Sequence, residues 1–114
     1  MFCAHHGLAN LTAIVDMNGQ QALGRTDDVL RTSPLGDRWR AFGWDVHEMD
    51  GHDVGAIDSA LAARRRAPGL PHALIAQTVS GKGVSFMERS IKWHYSPMSR
   101  AEYDQAMQEI GMGQ

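Results

Sequence analysis

The sequence lacks several features that would assign it to a class at once. It has a single cysteine, Cys3, among 114 residues, which excludes an intrachain disulfide framework and favours a reducing compartment, so we expect a cytoplasmic protein. No uninterrupted apolar run approaches the roughly 20 residues of a membrane-spanning helix, and no basic segment followed by an apolar one marks a secretory signal. The formal net charge of −2 does not favour nucleic acid as a partner.

Common metal and nucleotide motifs are also missing. The sequence has six histidines, but HEMDG at residues 47–51 is not the HExxH helix of zinc enzymes, and one cysteine does not supply the usual ligand set of a structural zinc. The SGKG segment at residues 80–83 lacks the P-loop spacing. It is either an anion-holding turn of backbone amides or simply a flexible turn. We interpret the basic run Arg64–Arg66 as a solvated helix end.

What is present predicts an α/β domain with a core of its own, since 43% of the residues are hydrophobic and a chain of this length can bury enough surface. Short apolar runs predict strands at residues 11–16, 44–49 and 73–79. Amphipathic spacing predicts helices at residues 2–9, 34–42 and 54–66, and another beginning at Ser99. Residues 18–33 are predicted to form a long polar loop.

Several details of these elements follow from local chemistry. The first strand is predicted to be buried on both faces because its apolar run is nearly continuous. Ser33 is expected to cap the second helix ahead of Pro34, and Ser99 to form a capping box with Glu102. Three apolar stripes are expected to face the core, and they comprise Leu35, Trp39 and Phe42; Val54, Ile57 and Leu61; and Tyr103, Ala106, Met107 and Ile110.

Strands that alternate with helices indicate a parallel sheet with helices on both faces, a three-layer α/β/α arrangement. In such sheets ligands bind beyond the carboxyl ends of the strands. The loops at residues 18–26, 50–53 and 78–83 should therefore lie at one edge of the sheet. Asn18 stands at the end of a strand, where its amide oxygen could bind Mg²⁺, although Asn-Gly on composition alone more often forms only a turn.

Four segments, taken in order, resemble the thiamine-diphosphate-binding part of transketolases. They are NLTAIVDMNG at residues 10–19 with GRT at 24–26, LGDRWRAFGW at 35–44, DGHD at 50–53 and TVSGKGVSFME at 78–88. Trp93 and His94 follow where this family carries a histidine. The resemblance covers nearly the whole chain and is closest to the N-terminal section of split transketolases, whose two halves are separate polypeptides. It implies the thiamine diphosphate-binding fold, with residues 1–114 as the C-terminal portion of the diphosphate-binding domain.

The resemblance assigns ligand roles by position. Asn18 matches the asparagine that closes the family's cofactor motif and would coordinate Mg²⁺ through its side chain. Gln20 matches the residue that gives the same ion a main-chain carbonyl, and the ion would bridge the diphosphate of the cofactor. Ala22 falls near the thiazolium ring, where the family often has a larger aliphatic residue. The aspartate that opens the motif would lie upstream of Met1, so we expect the domain to be incomplete at its N-terminus.

The same resemblance implies the catalytic and entrance residues. His94 matches the histidine that reaches the diphosphate or the donor sugar and assists proton transfer, and it is followed by Tyr95 where the family usually has glycine. The loop formed by Gly81, Lys82 and Gly83 would line the entrance. The DGHD segment, a family signature, we interpret as a tight turn and a helix cap.

The implied activity is the transfer of two-carbon ketol units between sugar phosphates with thiamine diphosphate and Mg²⁺. The partner would be a C-terminal subunit that carries the pyrimidine-binding domain, so we expect a homo- or hetero-oligomer and an isolated chain that is inactive. One alternative is another thiamine-diphosphate enzyme, such as a deoxyxylulose-phosphate synthase or a 2-oxo-acid dehydrogenase component. The other is a non-catalytic remnant that serves as an interaction module.

Overall fold

The computed structural model describes residues 1–63 and 69–111, so the interpretation of Arg64–Arg66 lies outside the described residues. Within this part, none of the helices combines the length and apolarity that crossing a membrane requires. The elements in chain order are α1 (Phe2–His5), β1 (Thr12–Met17), β2 (Gln20–Gln21), β3 (Gly24–Arg25), α2 (Thr26–Val29), α3 (Leu35–Ala41), β4 (Asp45–Asp50), α4 (Val54–Ala63), β5 (His72–Gln77), a 3₁₀ helix (Ile91–His94) and α5 (Arg100–Glu109).

The chain forms two compact units. The first consists of Met1–Met17 and Thr32–Thr78, and the second of Asn18–Arg31 and Val79–Gln114. The main sheet belongs to the first unit, and a two-stranded hairpin belongs to the second.

The sheet of the first unit is parallel, as the alternation of strands and helices predicts. Its strand order is β1-β5-β4, and β5 pairs in parallel with both neighbours. At the carboxyl ends, Gln77 stands opposite both Met17 and Asp50. The segments that follow these three strands therefore leave the sheet at one edge, which is where parallel sheets place ligands.

The core of the first unit is centred on β5. The side chains of Leu74 and Ile75 are fully buried, and His72, at the start of the strand, is buried with its Nδ1 3.1 Å from Oδ2 of Asp45. The prediction that the first strand is buried on both faces is wrong, since Ile14 is 62% exposed. A continuous apolar run cannot distinguish a central strand from an edge strand, and β1 stands at the edge of this sheet.

One predicted helix end and one predicted helix cap differ from the structure. The first helix ends at His5 and does not reach residue 9, because Gly7 takes a left-handed conformation with φ of 59°. Ser33 does not cap α3, which begins at Leu35 without a side-chain cap. Pro34, which is extended with ψ of 111°, occupies the N-cap position of α3. Ser33 therefore lies one residue too far upstream to cap the helix.

The predicted apolar stripes are buried only in part. Phe42 is 50% exposed and Val54 is 78% exposed, whereas Ala60 of α4 and Ala106 of α5 are buried. The aromatic stripe of α3 instead borders an open apolar cleft of about 360 Å³, lined by Met1, Leu35, Arg38, Trp39, Phe42 and Trp44.

The second unit begins at Asn18, at the start of the segment for which the sequence predicts a long polar loop. The segment in fact contains regular structure. Residues 18–33 contain the antiparallel hairpin of β2 and β3, followed by the single turn of α2. The helix α5 starts as predicted, with Ser99 and Glu102 forming a reciprocal capping box.

The two registered neighbours Ile14 and Leu74 provide a test of the core. Replacing the fully buried Leu74 with alanine should lower the free energy of unfolding by about 2–5 kcal/mol, because it removes transfer energy and leaves a cavity. Ile14→Ala, on the exposed edge strand, should cost less than about 1 kcal/mol. Urea denaturation of both variants followed by circular dichroism measures the difference, and equal losses would contradict the assignment of β5 as the centre of the core.

Candidate cofactor site

At the carboxyl edge of the sheet, the first unit holds its strand ends together through short contacts. The hydroxyl of Thr78 donates to Oδ1 of Asp16, so the ends of β1 and β5 are joined by side chains as well as by the ladder. The Gly51 N–H donates to the carbonyl of Gln77 at 2.8 Å, and a Cβ at Gly51 would lie 2.5 Å from Cγ2 of Thr78. Only glycine fits this approach, which explains the Gly of the DGHD segment.

The remaining residues of that segment shape the chain locally. Asp50 accepts a hydrogen bond from the His52 N–H at 2.8 Å, and Asp53 accepts from the N–H groups of Gly55 and Ala56 at 2.8 and 3.1 Å. These are the bonds of a tight turn and of a helix N-cap. The interpretation of DGHD as structural is confirmed.

In the second unit, the hairpin places the two predicted Mg²⁺ ligands next to each other. Oδ1 of Asn18 accepts a hydrogen bond from the Gln20 N–H at 2.9 Å, and the Thr26 N–H donates to the carbonyl of Gly19 at 2.9 Å. Because hydrogen-bonded and non-hydrogen-bonded pairs alternate along an antiparallel ladder, the pair Gln20–Arg25 is a non-hydrogen-bonded one. The N–H and carbonyl of Gln20 therefore point away from β3, towards the same edge as the amide oxygen of Asn18.

This donor set suits a hard cation. The amide oxygen of Asn18, which accepts the N–H of Gln20, is a neutral oxygen of the kind that Mg²⁺ accepts. The carbonyl of Gln20 lies outside the hairpin ladder and offers another neutral oxygen. Mg²⁺ binds through a few protein oxygens plus phosphates and water, and its charge must then be balanced by the phosphates or by other carboxylates. No group of three His, Cys, Asp or Glu residues suited to a metal occurs among the described residues.

Ala22 lies in the two-residue turn of the hairpin, beside Leu23, which is 86% exposed. The carbonyl of Ala22 accepts a hydrogen bond from the hydroxyl of Tyr95. The turn is thus tied to the segment that carries His94, although the two are more than 70 residues apart in sequence.

The glycine-rich loop is a closed turn whose amides are largely used within the chain. The Lys82 N–H donates to the carbonyl of Val79 at 3.2 Å, and the Gly83 N–H donates to Oε1 of Glu88 at 3.1 Å. With these two amides engaged, the observed conformation favours the turn over an anion cradle, the alternative that the sequence left open. The exposed side chain of Lys82 remains the group of this loop best placed to meet an anion.

His94 ends the 3₁₀ helix, is exposed, and is held by its neighbours. Nε1 of Trp93 donates to the carbonyl of Phe86 at 3.0 Å, and Nζ of Lys92 lies 3.0 Å from Oε1 of Glu102. The ring of Tyr95 meets the His94 ring edge to face, with centroids 4.8 Å apart at 87°. These contacts fix the backbone and one side of the imidazole.

The second unit therefore contains every predicted site residue, namely Asn18, Gln20, Ala22, Gly81, Lys82, Gly83 and His94. Direct contacts join Asn18 to Gln20, and Tyr95 bridges Ala22 and His94. Tyr95 is not among the predicted ligands, although its place after His94, where the resemblance leads one to expect glycine, is a signal in the sequence. The bracing ion pair of Lys92 and Glu102 leaves no such signal, because the two residues lie on different elements.

Comparison with known proteins decides the family. The family model described as the thiamine diphosphate binding domain of transketolase matches residues 1–114. The chain belongs to the transketolase family. Its resemblance to transketolases is thereby confirmed, as is an α/β fold with a mainly parallel sheet.

Relatives in the transketolase family include separate subunits. The chain is 41% identical over 103 residues to an apulose-4-phosphate transketolase subunit of Phocaeicola vulgatus, covering 90% of this chain and 37% of that protein. It is 36% identical over 110 residues to a 6-deoxy-6-sulfo-D-fructose transketolase subunit of a Clostridium species, covering 96% of this chain and 40% of that protein. This transketolase-family chain thus spans about two fifths of the length of these relatives.

A solved structure gives the same fold. The crystal structure of transketolase from Campylobacter jejuni superimposes with a TM-score of 0.87 at 27% identity, covering 96% of this chain and 17% of that one.

The tight loop at Gly81 gives a test of the site's scaffold. A Cβ at Gly81 would lie 2.7 Å from backbone atoms of Met87, and its φ is 73°. For Gly83, with φ of 90°, the nearest atom that a Cβ would meet among the described residues beyond its chain neighbours is Ile110 Cγ2 at 4.0 Å. Gly83→Ala should cost about 1–2 kcal/mol for the left-handed conformation alone, and Gly81→Ala should cost at least about 1 kcal/mol more for the clash. Chemical denaturation measures both, and an equal cost would contradict the close approach.

The capping box of α5 predicts an acid-dependent stability. Hydrogen bonds from Ser99 and the Lys92 ammonium lower the pKa of Glu102 from 4.5 to about 2. Since the folded-state pKa is the lower one, ionised Glu102 stabilises the fold above pH 4.5, and this contribution is lost as the pH falls towards 2.

Glu102→Gln should therefore be less stable than the wild type at neutral pH and should lose less stability on acidification. Thermal denaturation between pH 7 and pH 2 measures both slopes. Identical acid profiles for the two proteins would contradict the role of this carboxylate.

Proposed function

We propose that this chain binds thiamine diphosphate through Mg²⁺ and forms part of a transketolase-type enzyme that transfers two-carbon ketol units between sugar phosphates. The observation that carries the proposal is the outer edge of the hairpin. There the amide oxygen of Asn18 accepts the N–H of Gln20, whose carbonyl points away from β3 on the same side of the ladder, in a chain of this family.

Asn18 and Gln20 would hold Mg²⁺, which would neutralise charge on the diphosphate, and both are neutral oxygen donors of the kind that Mg²⁺ accepts. When bound, the thiazolium ring of the cofactor supplies the stabilisation of a carbanion formed from the donor sugar. Ala22 follows on the same hairpin and would border that ring. The small side chain at this position leaves more space than the larger aliphatic residue that the resemblance leads one to expect.

His94 would contact the diphosphate or the donor sugar and move a proton at one of its ring nitrogens, the role that imidazole side chains take in general acid–base catalysis. Its exposure in this chain is compatible with contact to a ligand. Lys82, on the loop with Gly81 and Gly83, would attract the anionic end of the sugar at the entrance. The backbone of that loop contributes shape, since the amides of Lys82 and Gly83 are occupied.

The proposed partner is a second polypeptide with the pyrimidine-binding domain, whose carboxylate would activate the aminopyrimidine of the cofactor. Support comes from the relatives that are named as subunits of transketolases. We place the resulting hetero-oligomer in the cytoplasm, in keeping with a lone cysteine. The names of those relatives suggest ketoses that carry a phosphate or sulfonate group as donors.

The two asparagines of the chain, Asn10 and Asn18, provide a matched test. Asn18→Ala should weaken Mg²⁺-dependent binding of thiamine diphosphate by about 10- to 100-fold, the effect of losing an interaction with a charged group. Asn18→Asp keeps an oxygen for both the Gln20 N–H and the ion, so it should retain most of the affinity. Asn10→Ala, at an exposed position, should bind like the wild type.

Isothermal titration calorimetry, with and without Mg²⁺ and with and without a pyrimidine-binding subunit, makes the comparison. Circular dichroism verifies that each variant is folded. Unchanged affinity in Asn18→Ala would refute the ligand role. A folded wild-type complex that binds no cofactor would instead support an interaction module.

Donor profiling of the complex separates the enzyme classes. Turnover of ketose phosphates supports ketol transfer, whereas turnover restricted to pyruvate or other 2-oxo acids would favour the alternative thiamine-diphosphate enzymes.

A further inference from the structure

Tyr95 makes two contacts at once with residues of the candidate site. Its ring lies edge to face against His94, with centroids 4.8 Å apart. Its hydroxyl donates a hydrogen bond to the carbonyl of Ala22 in the hairpin turn. A single side chain thus connects the proposed proton-transfer group with the hairpin that carries the proposed metal ligands, all within the second unit.

The hairpin needs such an anchor because it is small. Each of its strands has two residues, and Leu23 in the turn is 86% exposed, so the hairpin buries little apolar surface of its own. A two-stranded hairpin is at best marginally stable in water. The bond from Gln21 Nε2 to the carbonyl of Leu30 at 3.0 Å holds the residue that precedes the turn, and the hydroxyl of Tyr95 holds the turn itself.

The other end of the link is firmly held. The 3₁₀ helix that precedes Tyr95 is fixed by the bond from Trp93 to the carbonyl of Phe86 and by the ion pair of Lys92 with Glu102. The Tyr95 N–H donates to the carbonyl of Lys92 at 3.2 Å. The tyrosine ring therefore projects from a braced segment, and its hydroxyl can restrain the weaker hairpin.

We propose that Tyr95 is a positioning residue that fixes the hairpin tip and orients His94. The ring restrains the imidazole, and the hydroxyl restrains the turn that follows Gln20. This proposal rests on the proposed function, because it assigns Tyr95 a part in holding the Mg²⁺ ligands and the proton-transfer group of that site.

The restraint on the hairpin is tested first, without cofactor. In the full chain, Tyr95→Phe keeps the ring and removes the hydroxyl. Loss of one hydrogen bond should speed amide exchange at the Thr26 N–H, which bonds to Gly19, by about fivefold. Tyr103→Phe, at the other tyrosine of the chain, should leave this exchange rate unchanged. Hydrogen exchange followed by nuclear magnetic resonance measures both rates.

The link to the site is tested in the complex with the pyrimidine-binding subunit. Tyr95→Phe should raise the dissociation constant of Mg²⁺–thiamine diphosphate by about fivefold, since the hairpin must be ordered on binding. Tyr95→Gly removes the ring as well. It should raise the dissociation constant at least as much and lower kcat several-fold further than Tyr95→Phe, because His94 loses its edge contact.

The outcomes separate this proposal from the function on which it rests. If the wild-type complex binds no cofactor, the proposed function fails, and the exchange rate of Tyr95→Phe still decides whether the hydroxyl restrains the hairpin. Unchanged exchange at Thr26 in Tyr95→Phe overturns the proposal. Faster exchange with unchanged cofactor affinity and equal kcat in Phe and Gly variants also overturns it, since the restraint would then serve the fold alone.

Discussion

The parallel pairing of β5 with both β1 and β4 is the constraint on which the arrangement depends. Because Gln77 is registered with Met17 and with Asp50, the three strands end at the same level. The buried side chains of Leu74 and Ile75 keep this register, since a slip of one residue would turn them out of the core. Within the first unit, the DGHD turn begins at this edge, where the Gly51 N–H bonds to the carbonyl of Gln77.

In the second unit, the backbone geometry of the hairpin brings the two proposed Mg²⁺ ligands to one edge. The Gln20–Arg25 pair lies between hydrogen-bonded pairs of the ladder. The backbone groups of Gln20 therefore point out of the hairpin, on the side where Asn18 lies. The same alternation aims the Gln20 N–H at the side chain of Asn18 and frees its carbonyl. Asn18 thus forms the turn that composition favours, and its proposed role as a Mg²⁺ ligand would use the same side-chain oxygen.

Most of the fold could be predicted from the sequence, because strand periodicity, caps and parallel topology are local or combinatorial signals, whereas the site residues stay a prediction. The capping box of Ser99 and the cap at Asp53 are examples. Burial is harder to predict, since an apolar run looks the same in a central strand and in the exposed edge strand that contains Ile14. Contacts between distant elements, such as that of Tyr95 with Ala22, leave no periodic pattern and emerge only from the three-dimensional structure.

The most direct test of the account is a crystal structure of the complex with thiamine diphosphate and Mn²⁺ in place of Mg²⁺, measured at the manganese absorption edge. If Asn18 and Gln20 hold the ion, an anomalous peak should lie about 2 Å from both Oδ1 of Asn18 and the carbonyl oxygen of Gln20, within coordination distance of the diphosphate. A cofactor-bound structure in which the peak lies away from these two oxygens would contradict their role as ligands.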